Sequence, residues 1–551
     1  MPRSGRRLWA ASLLGAAVAL SACKGGRHDE PGAKAAPEPL PARPSALVAE
    51  WALADAGATW RAVHPLLGAP GRLIPVGPEL ALGALLELGP LTAGAFDFGR
   101  PVVGGLVEAE PGSLEALAVV PLTSGPELVA RLSTGTAAAF RAVRAGKVVF
   151  LEPARNESRG RALAVIDDAL VIGPRSAIER SGLYLVRVTA RAPATGSKLA
   201  ARPAPLAALV RRGYAERRSE LAARAERAQA EHGRPADFAD PKAALAALDA
   251  LVEPMFRALD AARSAELELV PGGDRLGLWL RLPADEKAMP APAAAPAPAL
   301  RAFAELPAAA SVAFGSRRNL GAADGSAASA TLRALFGARL TEPRAKELQG
   351  VFAALDAGLG ERFTLSFLGD LTLSLTSDVR DEKQLREGVS KLLGSFVEAP
   401  WAEPIASLFG KPRLVRAPAR LGALPAERVR YAFPIKPGAP KQAREIEVLY
   451  WFEPGRFQLV IGPDADPAAA ALLAARAGQA ALVGRPEFLA LMSGPVAALD
   501  TVLAADARMF SGVAEPGWLV AGARSGPEGF ELGLEASAPA VESLTRWGLL
   551  P

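Results

Sequence analysis

The sequence predicts an α+β protein of two tandem, diverged α/β lobes. Each lobe is expected to hold a largely antiparallel sheet covered by helices, with a helical hairpin inserted in the first. Three observations carry this expectation. Short apolar runs follow one another across tight turns, a Pro/Ala-rich stretch splits the chain near its middle, and similar landmarks recur in the same order on both sides of it.

The strands read as alternating or continuous apolar runs, among them Leu117–Leu122, Ala162–Ile172, Leu267–Leu282, Ile446–Phe452 and Phe457–Ile461. Phe363–Leu368 and Asp370–Leu375 are separated by a Gly-Asp turn, a spacing that suits a hairpin and leaves no room for a parallel crossover. The recurring landmarks are Leu122-Thr123-Ser124 with Leu375-Thr376-Ser377, Leu170–Pro174 with Leu459–Pro463 (both LVIGP), and the strand at 274–284 with the one at 528–538. Two insertions of similar size, one in each half, reconcile their separations. This order predicts a duplicated unit. Gly-Pro after each LVIGP run stops a strand. Asp466-Pro467 then reads as a helix N-cap followed by a proline in the first turn.

These boundaries give a first lobe at 47–284, a Pro/Ala linker at 285–300 and a second lobe at 301–551. The hairpin is expected at about 205–262, where Leu245, Leu248, Val252, Met255, Phe256 and Leu259 form one apolar stripe. Its first helix alternates arginines with glutamates, the pattern of a solvated face, and places Glu220 and Arg224 as an i,i+4 pair.

The first 22 residues are an address. Arg3, Arg6 and Arg7 precede the uncharged apolar run Leu8–Ala22, which is too short to span a bilayer core of about 30 Å. The run ends Leu20-Ser21-Ala22-Cys23. This segment resembles the lipobox of bacterial lipoproteins, and the resemblance implies cleavage before Cys23 and acylation of its thiol. Lys24 in the next position implies outer-membrane retention, because the resemblance associates inner-membrane retention with Asp there. Residues 23–46, rich in Pro, Ala and Gly, then read as a tether. Several acyl chains anchor stably where one does not.

Composition sets the limits on function. The chain has 551 residues, of which 50% are hydrophobic and 22% charged, which excludes wholesale disorder. One Cys and three His leave no disulfide framework and no Cys/His zinc set. The formal charge is +5, but three of the 63 basic residues fall in the leader, so the remainder nearly balances the 58 acidic ones. That is no nucleic-acid footprint. No nucleophile elbow, metal-protease helix, phosphate loop or dinucleotide loop is present, and no cofactor is expected.

Two candidate features remain. Asp167-Asp168, Asp370 and Asp464/Asp466 offer carboxylates, although Asp167-Asp168 and Asp370 stand where hairpin turns are expected. In Tyr450-Trp451-Phe452, alternation sets Leu449 and Trp451 on one face, as candidates for an apolar groove or as two residues of a strand buried on both sides. The function expected is a lipid-anchored envelope lipoprotein, probing no chemistry of its own: non-enzymatic binding, carriage or scaffolding, with the membrane reached through acylated Cys23 and an apolar ligand or envelope protein as partner. The competing expectation is a carboxylate-based envelope hydrolase.

Overall fold

The computed structural model describes residues 41–68, 74–110, 113–134, 138–154, 161–189, 196–232, 241–272, 274–284, 303–317, 342–369, 372–398, 412–433, 445–511, 516–526 and 529–546. Cys23, Asp370, the leader, most of the tether and the 285–300 linker lie outside them. At the tether's end, Arg43 pairs with Glu50 at 2.5 Å and the Leu47 amide bonds the Pro44 carbonyl at 3.1 Å, so the chain is already docked before its first strand.

The first half supplies β1 (Leu47–Leu53), β2 (Val102–Glu110), β3 (Ser113–Pro121), β4 (Phe140–Ala145), β5 (Val148–Pro153), β6 (Ala162–Ile166), β7 (Ala169–Gly173), β8 (Ser197–Ala201), β9 (Ala265–Pro271) and β10 (Arg275–Pro283). The second half supplies β11 (Ala310–Arg317), β12 (Leu359–Leu368), β13 (Thr372–Val379), β14 (Arg413–Leu421), β15 (Leu424–Ala432), β16 (Glu445–Glu453), β17 (Arg456–Gly462), β18 (Thr501–Asp506), β19 (Trp518–Gly526) and β20 (Gly529–Ser537). The pairings among them are antiparallel and run β4-β5-β6-β7-β3-β2-β1-β8-β9-β10. They continue β20-β19-β18-β11-β12-β13-β17-β16-β15-β14. The second series is the first in reverse, with ten added to each label.

The expectation of two lobes is overturned. β10 and β20 pair over their whole length, from Arg275↔Ser537 to Pro283↔Gly529, and fuse everything into one twenty-stranded sheet. The physical reason is that each half ends on a strand edge with unpaired amides and carbonyls, and two such edges satisfy one another. Periodicity identifies a strand but not the edge it will meet. At the centre of this seam Trp279 faces Gly533. A Cβ at Gly533 would come within 2.6 Å of the indole, so this glycine is what admits the ring.

The helices are α1 (Ala56–Val63), α2 (Pro78–Leu85), α3 (Gly125–Ser133), α4 (Leu183–Thr189), α5 (Pro203–His232), α6 (Pro241–Ala261), α7 (Glu342–Gly358), α8 (Glu382–Glu398), α9 (Ala465–Arg476), α10 (Pro486–Met492), α11 (Arg508–Ser511) and α12 (Ala538–Arg546). Their starts follow from local chemistry. Ser124 caps α3 by accepting from the Glu127 amide at 3.3 Å. The cap of α9 is Asp464, not Asp466; its carboxylate accepts from the Asp466 amide. In the hairpin, Arg218 and Tyr214 both bond Asp249, and Arg211 bonds Asp260 at 2.8 Å, which sets α5 and α6 antiparallel. Glu220 pairs with Arg217 at 2.7 Å, on the turn before it, rather than with the expected Arg224 on the turn after.

Alternation assigns the helices to two faces. On the front face, α1, α2 and α3 cover β1, β3 and β7; α5–α6 cover Ala49, Ala201 and Ala265; and α7–α8 cover β15, β16 and β17. On the back face, α4 and the turn preceding it cover β2, β3 and β7, while α9 and α10 cover β16 to β19. Alanines at 465, 468, 469 and 475 let α9 lie close on the strands beneath it.

Candidate functional site

The middle of the sheet is treated differently on its two faces. Strands β9, β10 and β20 alternate strictly, as in ELELV, RLGLWLRL and GFELGLEA. One set of side chains is therefore leucine-rich and the other charged. On the back face charges pair across the strands: Arg281 reaches both Glu268 and Glu531, and Arg524 bonds Glu531 at 2.6 Å. These carboxylates raise the affinity of the Arg281 guanidinium for its proton.

On the front face the leucines stand in rows across the strands. Leu269, Leu278, Leu534, Ala521, Leu503, Phe314 and Leu365 are successive cross-strand neighbours from β9 to β12. Beside them runs Leu280, Leu532, Ala523, Thr501, Ser316 and Phe363, and on the other side Leu276, Ala536, Leu519, Ala505, Val312 and Phe367. The flanks are covered. The α5–α6 hairpin packs over Leu280 and Phe530, α12 with Leu66 packs over Leu276 and Leu519, and α7–α8 begin over Leu375. Between these walls the floor is open: Leu278 is 37% exposed, Leu532 39%, Phe367 43% and Leu503 45%.

Isolated exposed leucines need no explanation, but a contiguous set rimmed by packed helices is a candidate binding face. With strands about 4.8 Å apart and side chains on one face about 6.8 Å apart, the floor from β10 to β12 measures about 24 Å by 14 Å. Covering about 300 Å² of apolar surface contributes about 8 kcal/mol before the cost of association. The floor holds no charged side chain in these rows. Its two hydroxyls, Ser316 and Thr501, satisfy each other at 3.0 Å. The floor of this trough thus offers a solvent-facing apolar surface broken by one mutually bonded hydroxyl pair.

No family model, curated protein or solved structure matches the chain. The trough is therefore read from its own geometry.

Leu449 and Trp451 fall elsewhere. β16 lies between β15 and β17 with helices on both faces, and both side chains are buried in the back-face core. The indole of Trp451 donates to Glu453 at 3.0 Å. They line no groove; packing explains them. The acidic candidates hold structural positions too. Asp168 accepts from the Gly125 amide at 2.8 Å, Asp167 takes the left-handed conformation (φ 51°) in the β6–β7 turn, and Asp466 pairs with Arg428. His64 bonds the Ile74 carbonyl at 3.1 Å and stacks near Trp60. Among the described residues, no group of three or more His, Cys, Asp or Glu is placed to hold a metal ion, and no helix is long and apolar enough to cross a membrane.

A second concavity lies on the outermost hairpin, β14–β15, lined by Val415, Ala417, Ala419, Arg420, Arg428 and Arg430. Arg428 is answered by Asp466 and Arg430 by Glu447 at 2.6 Å, so most of its charge is already matched.

Sequence reasoning missed the trough although its signal was present. The alternation of Leu with Glu, Arg, Gly and Trp in β9, β10 and β20 announces one apolar face; only the pairing of distant strands makes that face continuous.

Proposed function

We propose that this chain is a lipid-anchored bacterial cell-envelope lipoprotein, held in the outer membrane, whose body binds, carries or scaffolds an apolar partner without catalysing a reaction. The anchor rests on Leu20-Ser21-Ala22-Cys23 and the Pro/Ala/Gly-rich tether behind it. The binding role rests on a single observation, the uncovered apolar floor around Leu278, Leu503, Leu532 and Phe367. The mirrored strand order supports reading the two halves as diverged copies of one unit.

Two measurements test this reading. Metabolic labelling with a fatty-acid analogue should mark the wild type, which should resist salt extraction and dissolve in detergent. Cys23→Ser should abolish the label. A mature protein that is unlabelled and begins elsewhere than Cys23 defeats the anchor. Separately, a polarity-sensitive dye should brighten on the Cys23→Ser chain and lose most of that signal when Leu503→Glu is added. Equal dye signals with and without Leu503→Glu defeat the trough.

A further inference from the structure

We propose that the partner of the trough is an amphipathic α-helix of another protein, seated on β10 to β12 much as α5–α6 seats on the corresponding strands of the first half. This rests on the trough being the binding face and adds the chemistry of its occupant.

The argument is one of equivalence. In the first half, β1 and β9 flank β8, and the connection from β8 to β9 carries the α5–α6 hairpin, which buries Phe256 and Leu259 against Ala49, Ala201 and Ala265. In the second half, β11 and β19 flank β18 in the same arrangement. There the described part of the connection from β18 to β19 carries the four-residue α11. Leu199 and Leu106, packed against the hairpin, have as counterparts Leu503 and Phe367, which stand 45% and 43% exposed. Ala505 and Leu519, the counterparts of Ala201 and Ala265, are instead buried or packed beneath α12 and Leu66. The open floor is also continuous with an existing helix-on-sheet contact, because Leu280, already packed against the hairpin, neighbours Leu532, and Leu278 lies two positions along the same strand.

Charge and size narrow the occupant. An uncharged floor fits the apolar stripe of a helix whose polar side faces water. A floor of about 24 Å by 14 Å matches some sixteen helical residues at 1.5 Å rise and a helix diameter of about 10 Å. A second copy of the chain is disfavoured by area, since stable pairs bury about 800 Å² on each partner.

The test uses the full chain with Cys23→Ser, which needs no detergent, and a fluorescein-labelled eighteen-residue peptide of leucine, alanine, glutamate and lysine with one apolar stripe. A scrambled peptide of the same composition, a fluorescent C16 fatty acid and sedimentation velocity accompany it. The striped peptide should bind saturably, and Leu503→Glu or Leu278→Glu should weaken it at least tenfold. Leu221→Glu, on the exposed side of α5, should not change it, and circular dichroism should match in all variants. Equal binding of the scrambled peptide overturns the proposal. Binding of the fatty acid alone, lost in Leu503→Glu, also overturns it while keeping the trough as a lipid site. A dimer dissolved by Leu503→Glu overturns it in favour of self-association. Absence of peptide, fatty acid and dye binding together removes the trough reading as well.

Discussion

Glu535 sits on the back face of β20, almost fully buried, with the Arg275 guanidinium 3.5 Å away and one oxygen without a hydrogen-bond donor. Burial outweighs Arg275 and raises this carboxyl above its ordinary value of 4.5. The folded chain therefore binds a proton more tightly than the unfolded one. That contribution is fully present below 4.5 and is lost as pH rises through the folded value. Glu535→Gln should flatten this part of the pH profile: its melting temperature relative to wild type should rise between pH 4 and 7. Parallel profiles for the two proteins would show that Glu535 does not titrate abnormally. Leu449 and Trp451 give the opposite lesson about reading single residues. Their alternation is the same whether the second face meets solvent or a helix, and only the positions of α9 and α10 decide.

Among the elements, the α5–α6 hairpin is the clearest case of sequence dictating structure. Its apolar stripe is legible in the sequence, and the helices form at Pro203–His232 and Pro241–Ala261. What the stripe does not reveal is the pairing of charges across the helices, because Arg211 and Arg218 find Asp260 and Asp249 only once the two are antiparallel. Phe256 anchors the hairpin, buried edge-on to Tyr214 at 5.6 Å with Arg211 over its ring at 5.2 Å. Phe256→Ala should cost about 3–5 kcal/mol. Hydrogen exchange should speed across 203–261 while β13 and β17 stay protected, and dye binding should rise as the apolar floor widens. Unchanged exchange would mean the hairpin is held by its ion pairs. The strands were legible for a similar reason, since alternation is local. The order of strands was not, because β3 to β7 and β10 to β20 are contacts between distant segments that no local pattern encodes.

At the scale of the whole molecule, the seam makes the two halves one thermodynamic unit. Gly533→Ala forces a methyl into the Trp279 ring, and overpacking of this kind costs about 1–3 kcal/mol. Calorimetry should show one transition moved down as a whole, with van't Hoff and calorimetric enthalpies equal. Two transitions, one of them unmoved, would mean that the halves unfold independently. A sheet closed at its centre has its remaining free edges at its extremities, and these carry their own chemistry. β14 holds Pro418, a residue without an amide donor, together with Arg413, Arg416 and Arg420; β4 is six residues long and holds Arg141 and Arg144. Proline, short length and like charge each discourage another strand from adding on. Among the described residues the sheet thus runs from β4 to β14 and meets a discouraging border at each end. These two borders discourage the sheet of one molecule from growing into that of the next.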